Sequence, residues 1–208
     1  MHDMSSSTPT FTEQARRAQL LRAAIDTVNE VGYPKASLAA IARTAGVAKS
    51  ATVYYFESKD ALLLAVVERV FTALERQLVE AVERFATPSE QLLAYLEAYL
   101  DFADAHRADI VAGIEIVVTH RGADGVPMYL ADTGQEAALL GDILRAGIRR
   151  GQFRTMSIGI AVALVEAVLD VATTALQRDL SADLIELRRE IIEVVFRGIA
   201  PDSSPARN

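Results

Sequence analysis

Apolar residues return every three or four positions along almost the whole chain, and no stretch alternates with period two for long enough to make a strand. That property restricts the sequence to an all-α fold of about nine helices. The punctuation between the stripes is equally readable. Thr10-Phe11-Thr12-Glu13 has the spacing of a capping box, in which hydroxyl and carboxylate satisfy the orphan N–H groups of a helix start. Ala18, Leu21, Ile25 and Val28 follow on one face, and Gly32 stands where a helix stops, since glycine enters the left-handed conformation without penalty. Ser37 caps a short helix carrying Leu38, Ile41 and Ala45 up to Gly46, and a third short helix runs from about Lys49 to Phe56.

Ser58 then caps a long helix with Leu62, Val66, Val70, Leu74 and Leu78 inward. Thr87-Pro88-Ser89-Glu90 repeats the capping box, with proline at the first helical position where its missing N–H costs nothing. Its helix carries Leu92, Leu96, Tyr99 and Ala103; after a break near Asp104–Arg107 another runs to about Thr119. His120 to Pro127 reads as a loop, helix resumes to Arg150, and Gly151 stops it. Met156–Leu176 is apolar on nearly every side, and a last helix is expected to open at Ser181 with Leu184, Leu187, Ile191 and Val195, ending at Pro201. Met1 to Thr10 lacks a basic segment followed by an apolar one, so it reads as a disordered lead-in and not a secretory signal, and a cytoplasmic protein is expected.

Composition excludes several kinds of chemistry. Cysteine is absent, which removes disulfides, thiolate metal sites and a cysteine nucleophile together. The three histidines, His2, His106 and His120, lack the spacing of metal ligands, and no metal or cofactor is expected. There is no G-x-S-x-G turn, no phosphate-cradling glycine loop and no HExxH, so the chain is not read as an enzyme.

The net charge of −7 argues against nucleic acid if taken alone, but its distribution does not. Residues 1–60 carry seven basic groups against six acidic ones, and the remainder holds a net of −8. Between Pro34 and Lys59, four basic groups face Glu57 alone. A small basic island sits on an acidic body, the pattern of a head that meets phosphate. Two short helices meet around Ala45-Gly46-Val47 in that island, with Ala42 small enough for a close crossing. The second presents Lys49, Ser50 and Tyr54 outward, with Lys59 nearby, groups that hydrogen-bond phosphate oxygens. Tyr54-Tyr55-Phe56 cannot all be core, because three consecutive helical residues span most of the circumference; Phe56 is expected inside.

These residues resemble the TetR family of transcriptional regulators. The resemblance rests on Val31-Gly32-Tyr33, Ser37-Leu38, Ile41-Ala42, Ala45-Gly46-Val47 and above all Tyr55-Phe56-x-Ser58-Lys59-x-x-Leu62, within roughly residues 15–66. The body matches in outline, through the turn Arg145-Ala-Gly-Ile-Arg-Arg-Gly-Gln-Phe153. The resemblance implies a homodimer with a three-helix DNA-binding head at residues 10–58 and a helical ligand-binding and dimerisation body at 59–200. Carried over by position, Ser37, Lys49, Ser50, Tyr54, Tyr55 and Lys59 would contact DNA, with Lys49 and Ser50 nearest the bases. Ala51 departs from the family where a hydroxyl residue is usual, and Val53 where tyrosine is usual; both remove polar contacts.

The implied function is a repressor that binds a palindromic operator and is released by a small, largely hydrophobic effector. The rival readings are an all-α small-molecule carrier or a protein-interaction module with a vestigial head. Candidate effector contacts are Tyr95, Tyr99 and Phe102, at helical spacing, and Glu166 and Asp170, four apart on one face with Thr173 and Thr174. The residues themselves leave open whether those carboxylates line a pocket or pair with Arg145, Arg149 or Arg178. The apolar run Met156–Leu176 approaches a membrane span in length. Glu166 and Asp170 lie inside it, each costing about 2.5–3.5 kcal/mol near a bilayer centre. It is therefore read as buried on several sides, with the dimer partner covering the last two helices.

Overall fold

The computed structural model describes residues 10–122, 125, 126, 128 and 135–201. The expected N-terminal lead-in up to Pro9, residues 123, 124, 127 and 129–134, some of them in the expected loop His120–Pro127, and the tail from Asp202 lie outside them. Nine α-helices account for the described residues: α1 (Phe11–Val31), α2 (Leu38–Thr44), α3 (Lys49–Tyr55), α4 (Lys59–Val82), α5 (Pro88–Ala105), α6 (Arg107–Thr119), α7 (Gln135–Arg149), α8 (Ile158–Arg178) and α9 (Ile185–Ile199). A short 3-10 turn at Tyr33–Lys35 joins α1 to α2.

The helix starts follow their caps. Thr10 and Thr87 each form a complete capping box, with Glu13 and Glu90, while Ser37 and Ser58 accept the N–H of Ala40 and Ala61. The glycine stops divide into two kinds. After α7, the N–H of Gly151 donates to the Ile148 carbonyl and that of Gln152 to Gly147, which closes the helix in a Schellman turn. Gly151 takes φ 69 there, a left-handed conformation. Gly32 differs from expectation: its φ is 79 but its ψ is 158, outside the left-handed helical region and open essentially to glycine alone.

The expected opening of the last helix at Ser181 is corrected. The Asp179 carboxylate accepts both the N–H and the hydroxyl of Ser181 at 2.8 and 2.7 Å, and these bonds hold a turn in place of a helix start. The helix begins at Ile185, whose N–H donates to the Asp183 carboxylate at 2.9 Å.

One hydrophobic core runs through the chain. Leu20, Ile25 and Val28 of α1 are buried with Ile41 and Phe56 against Leu62, Leu63 and Val66 of α4, the latter half of which continues between α5 and α6. Each such side chain contributes about 1.5–3 kcal/mol when fully buried. The α5, α7 and α8 helices form the far side, and α9 packs on α8 and α5. Phe153, just beyond the Schellman turn, lies over Gly147 so closely that a Cβ there would come within 2.0 Å of its ring. α8 is long and apolar enough to cross a membrane by length and composition, yet only 28% of its most apolar window is buried within this chain.

Candidate nucleic-acid interface

The turn between α2 and α3 is built by hydrogen bonds that only one residue at its centre accommodates well. The N–H of Gly46 donates to Arg43 at 3.1 Å and that of Val47 to Ala42 at 3.0 Å, a second Schellman turn. Gly46 takes φ 65, and nothing lies within 4 Å of the Cβ it lacks, so the requirement is conformational. Ala42 is buried beneath this crossing.

The turn fixes which side of α3 faces inward. Thr52 is 0% exposed and Phe56 3%, whereas Val53 is 45% and Tyr54 76% exposed, beside exposed Lys49 and Ser50. Lys49, Ser50, Val53 and Tyr54 therefore share one outward face. Tyr55 is half-buried, its ring edge-on to Tyr54 with centroids 5.0 Å apart. Ser37 is exposed at the start of α2, its hydroxyl oxygen capping that helix.

Lys59 is placed differently from the outward phosphate contact expected of it. Its ammonium donates to the Tyr33 carbonyl at 2.5 Å and sits 4.3 Å over the Tyr33 ring. The aromatic face and the carbonyl at the end of the first connection together draw it onto the protein.

Two residues of α1 that carry no motif position α3. The Arg17 guanidinium donates to the Tyr55 carbonyl at 3.1 Å and lies 4.3 Å from the centre of the Phe56 ring. The Gln19 amide donates to the Ala45 carbonyl at 2.8 Å. The last carbonyl of α3 and a carbonyl in the turn before it are thus both tied to α1. Their only sequence signal is polarity on the outer face of an otherwise ordinary amphipathic helix.

The head joins the body through a polar seam. Arg22 pairs with Asp109 of α6 at 2.6 Å, and the Asn29 amide donates to the Ala108 carbonyl at 2.9 Å. Tyr33 is the centre of the seam. Its N–H donates to the Glu115 carboxylate at 2.6 Å, its carbonyl holds Lys59, and its phenol shares a hydrogen bond of 2.8 Å with His120 Nδ1. Burial, then the nearby Asp60 carboxylate, holds the phenol above its usual pKa range. His120, expected as an ordinary loop-flanking residue, is buried in this seam.

The candidate effector residues are divided. Tyr95 and Phe102 are buried in the core, the Phe102 ring 4.6 Å from that of His106; Tyr99 is half-buried. On α8, Glu166 is half-buried and Asp170 exposed. Neither joins an ion pair among the described residues, and Arg145 pairs with Asp142 of its own helix. Burial, and then the Asp170 charge, raises the Glu166 carboxyl pKa. A cleft of about 390 Å³ opens elsewhere, where the end of α5 meets the start of α9, lined among others by Leu100, Asp104, Arg107, Leu184 and Arg188. None of the five candidates lines it.

Comparison with known proteins agrees with this geometry. Residues 20–66, spanning most of α1 to the first turns of α4, match the family model described as bacterial regulatory proteins, tetR family. An HTH-type transcriptional regulator BetI from Stenotrophomonas maltophilia is 36% identical over 94 residues, a match of 43% of this chain and 46% of that one. The chain thus spans about half the length of that relative. The fatty acid metabolism regulator protein of Bacillus subtilis is 24% identical over 189 residues, 87% of this chain and 94% of its own. Among solved structures, the fatty acid degradation regulator FadR of Bacillus halodurans superposes with a TM-score of 0.76 at 18% identity, covering 92% of this chain and 98% of that one. FadR of Bacillus subtilis, in complex with stearoyl-CoA, gives 0.73 at 22%, covering 88% and 98%. At these identities the two structures establish the fold.

Proposed function

We propose, for a chain that belongs to the tetR family of bacterial regulatory proteins, the function of a cytoplasmic transcriptional repressor. It binds a palindromic operator as a homodimer and is released by a small hydrophobic effector. The observation that carries this reading is the outward face of α3, where Lys49, Ser50 and Tyr54 are exposed while Thr52 and Phe56 anchor the helix from below. Residues 10–58 act as the DNA-binding head and 59–200 as the ligand-binding and dimerisation body. Lys49 and Ser50 lie nearest the bases, and Ser37, Tyr54 and Tyr55 hold phosphates. Lys59 holds Tyr33 in the free protein and turns to a phosphate on the operator.

The dimer forms through α8 and α9, which leave Ile160, Leu164, Val171 and Val194 uncovered on one chain. An exposed apolar surface of this kind marks an association site. Two heads related by the two-fold axis meet half-sites about 34–36 Å apart, one turn of DNA. The effector acts by preferring a conformer with another head spacing, and it lowers operator affinity by its differential affinity for the two states. Its site runs along α5 and α8, with Tyr95, Tyr99 and Phe102 on one helix and Glu166 and Asp170 on the other. Likeness to the Bacillus subtilis fatty acid regulator over most of the chain, and to FadR holding stearoyl-CoA, supports a long-chain acyl effector.

The test is selection of random duplex DNA by the full chain, followed by affinity at several salt concentrations and titration with stearoyl-CoA. Enrichment of a palindrome, bound with a steep salt slope and with its sequence preference relaxed in Lys49→Ala, is the expected result. Weak, sequence-blind binding unchanged in that variant overturns the DNA-binding reading, and an operator complex indifferent to acyl-CoA overturns the effector.

A further inference from the structure

On α3 the usual inside-out order of polarity is inverted at one adjacent pair. Thr52 is fully buried and its hydroxyl has no hydrogen-bond partner among the described residues, while Val53, the next residue, is 45% exposed. Exchanging the two residue types would suit both environments, with the hydroxyl in water and the apolar side chain in the core. The sequence therefore holds an aliphatic group outward against its own local stability, and conflicts of this sort collect at functional surfaces. Val53 stands one helical turn from Lys49 and Ser50 and beside Tyr54, on the face assigned above to DNA.

The chemistry of the groove limits what such a side chain can recognise. Valine has no donor or acceptor, so it reads no base edge by hydrogen bonding. Of the groups on the major-groove floor, one is apolar: the 5-methyl of thymine. In a helix, a β-branched side chain is held almost entirely in one χ1 rotamer, so the two methyl groups of Val53 are offered to the groove in a fixed position. Opposite any other base, the same surface would strip water from a polar edge and return nothing. We propose that Val53 reads the 5-methyl group of a thymine in each operator half-site. This rests on the DNA-binding reading and adds a base identity to it.

The experiment replaces each thymine of the selected operator with deoxyuridine, which pairs identically and lacks only that methyl. Affinity is measured for the wild-type chain and for Val53→Ser. Replacing the one recognised thymine in a single half-site should weaken wild-type binding about fourfold, the worth of one methyl group taken out of water. Val53→Ser should bind the two DNAs equally. Because the change is made in the DNA, the wild-type arm stands even if the variant fails to fold. A selected operator in which every replacement is neutral overturns the assignment and leaves the DNA-binding reading intact, as does a penalty that persists in full in Val53→Ser. Failure to select any sequence overturns both.

Discussion

Replacing Thr52 with valine should stabilise the protein. The two side chains have nearly the same shape, and the native one is 0% exposed with an unpartnered hydroxyl. An unsatisfied hydroxyl in such a place costs about 1–3 kcal/mol in protein mutational data. Helix propensities of threonine and valine are close, so the helix itself contributes little. The expected gain is about 1–2 kcal/mol, which for a chain of this size raises Tm by roughly 2–8 °C. Thermal and urea unfolding at one fixed protein concentration would measure it, since association makes Tm concentration-dependent. Thr52→Ser gives the opposite sign: it keeps the hydroxyl and removes a methyl, for a loss of about 1 kcal/mol. Operator affinity should stay within about twofold in Thr52→Val, because the side chain points away from the outward face of α3. An unchanged or lowered Tm in Thr52→Val would refute the reasoning, since it would mean the hydroxyl is satisfied in solution.

Arg17→Ala should weaken operator binding severalfold while leaving the salt slope unchanged, because the guanidinium positions the end of α3; a slope reduced by about one would make Arg17 a phosphate contact instead. Gly147→Ala should lower Tm by roughly 6–12 °C, since the new Cβ meets the buried Phe153 ring, at about 3 kcal/mol for severe overpacking. Adding Phe153→Leu should recover part of that loss in a double-mutant cycle. Glu166 has its folded-state carboxyl pKa raised, so the folded chain holds its proton to higher pH than the unfolded chain does. Its contribution to stability therefore falls as pH rises from the unfolded value through the folded one. Glu166→Gln should raise Tm by about 1–2 °C at pH 7.5, the small figure reflecting solvent screening of a half-exposed group, and should do nothing at pH 3.5.

The head was legible because its geometry is fixed by neighbours in sequence. Thr10 meets Glu13, Ser37 meets the N–H of Ala40, and Gly46 and Val47 close a turn onto Arg43 and Ala42, all within five residues. The order of helices and the inward set Leu62, Val66, Val70, Leu74 and Leu78 follow from periodicity in the same way. What sequence could not supply were bonds between residues far apart. Arg22 and Asp109 are 87 positions from one another, and no local pattern marks either as the other's partner. Lys59 has the motif position of a phosphate contact, and only the fold brings the Tyr33 carbonyl and ring within its reach. Ser181 misled for a local reason, since Asp179 competes for its N–H and hydroxyl. The inward turn of Thr52 was hidden because its neighbour Val53 is the more apolar of the two.

The seam around Tyr33 sets a rule for recombining such proteins. A graft cut between Ser58 and Lys59 would carry Tyr33, Arg22 and Asn29 with the head and leave Lys59, Asp109, Glu115 and His120 behind. A foreign body would then meet a Tyr33 carbonyl and N–H that have lost their partners, and an arginine without its carboxylate. On the proposed reading, a hybrid made that way would keep the outward face of α3 but lose the polar contacts that tie α1 and its turn to α4 and α6. Transplanting the four body-side residues along with the head would restore them.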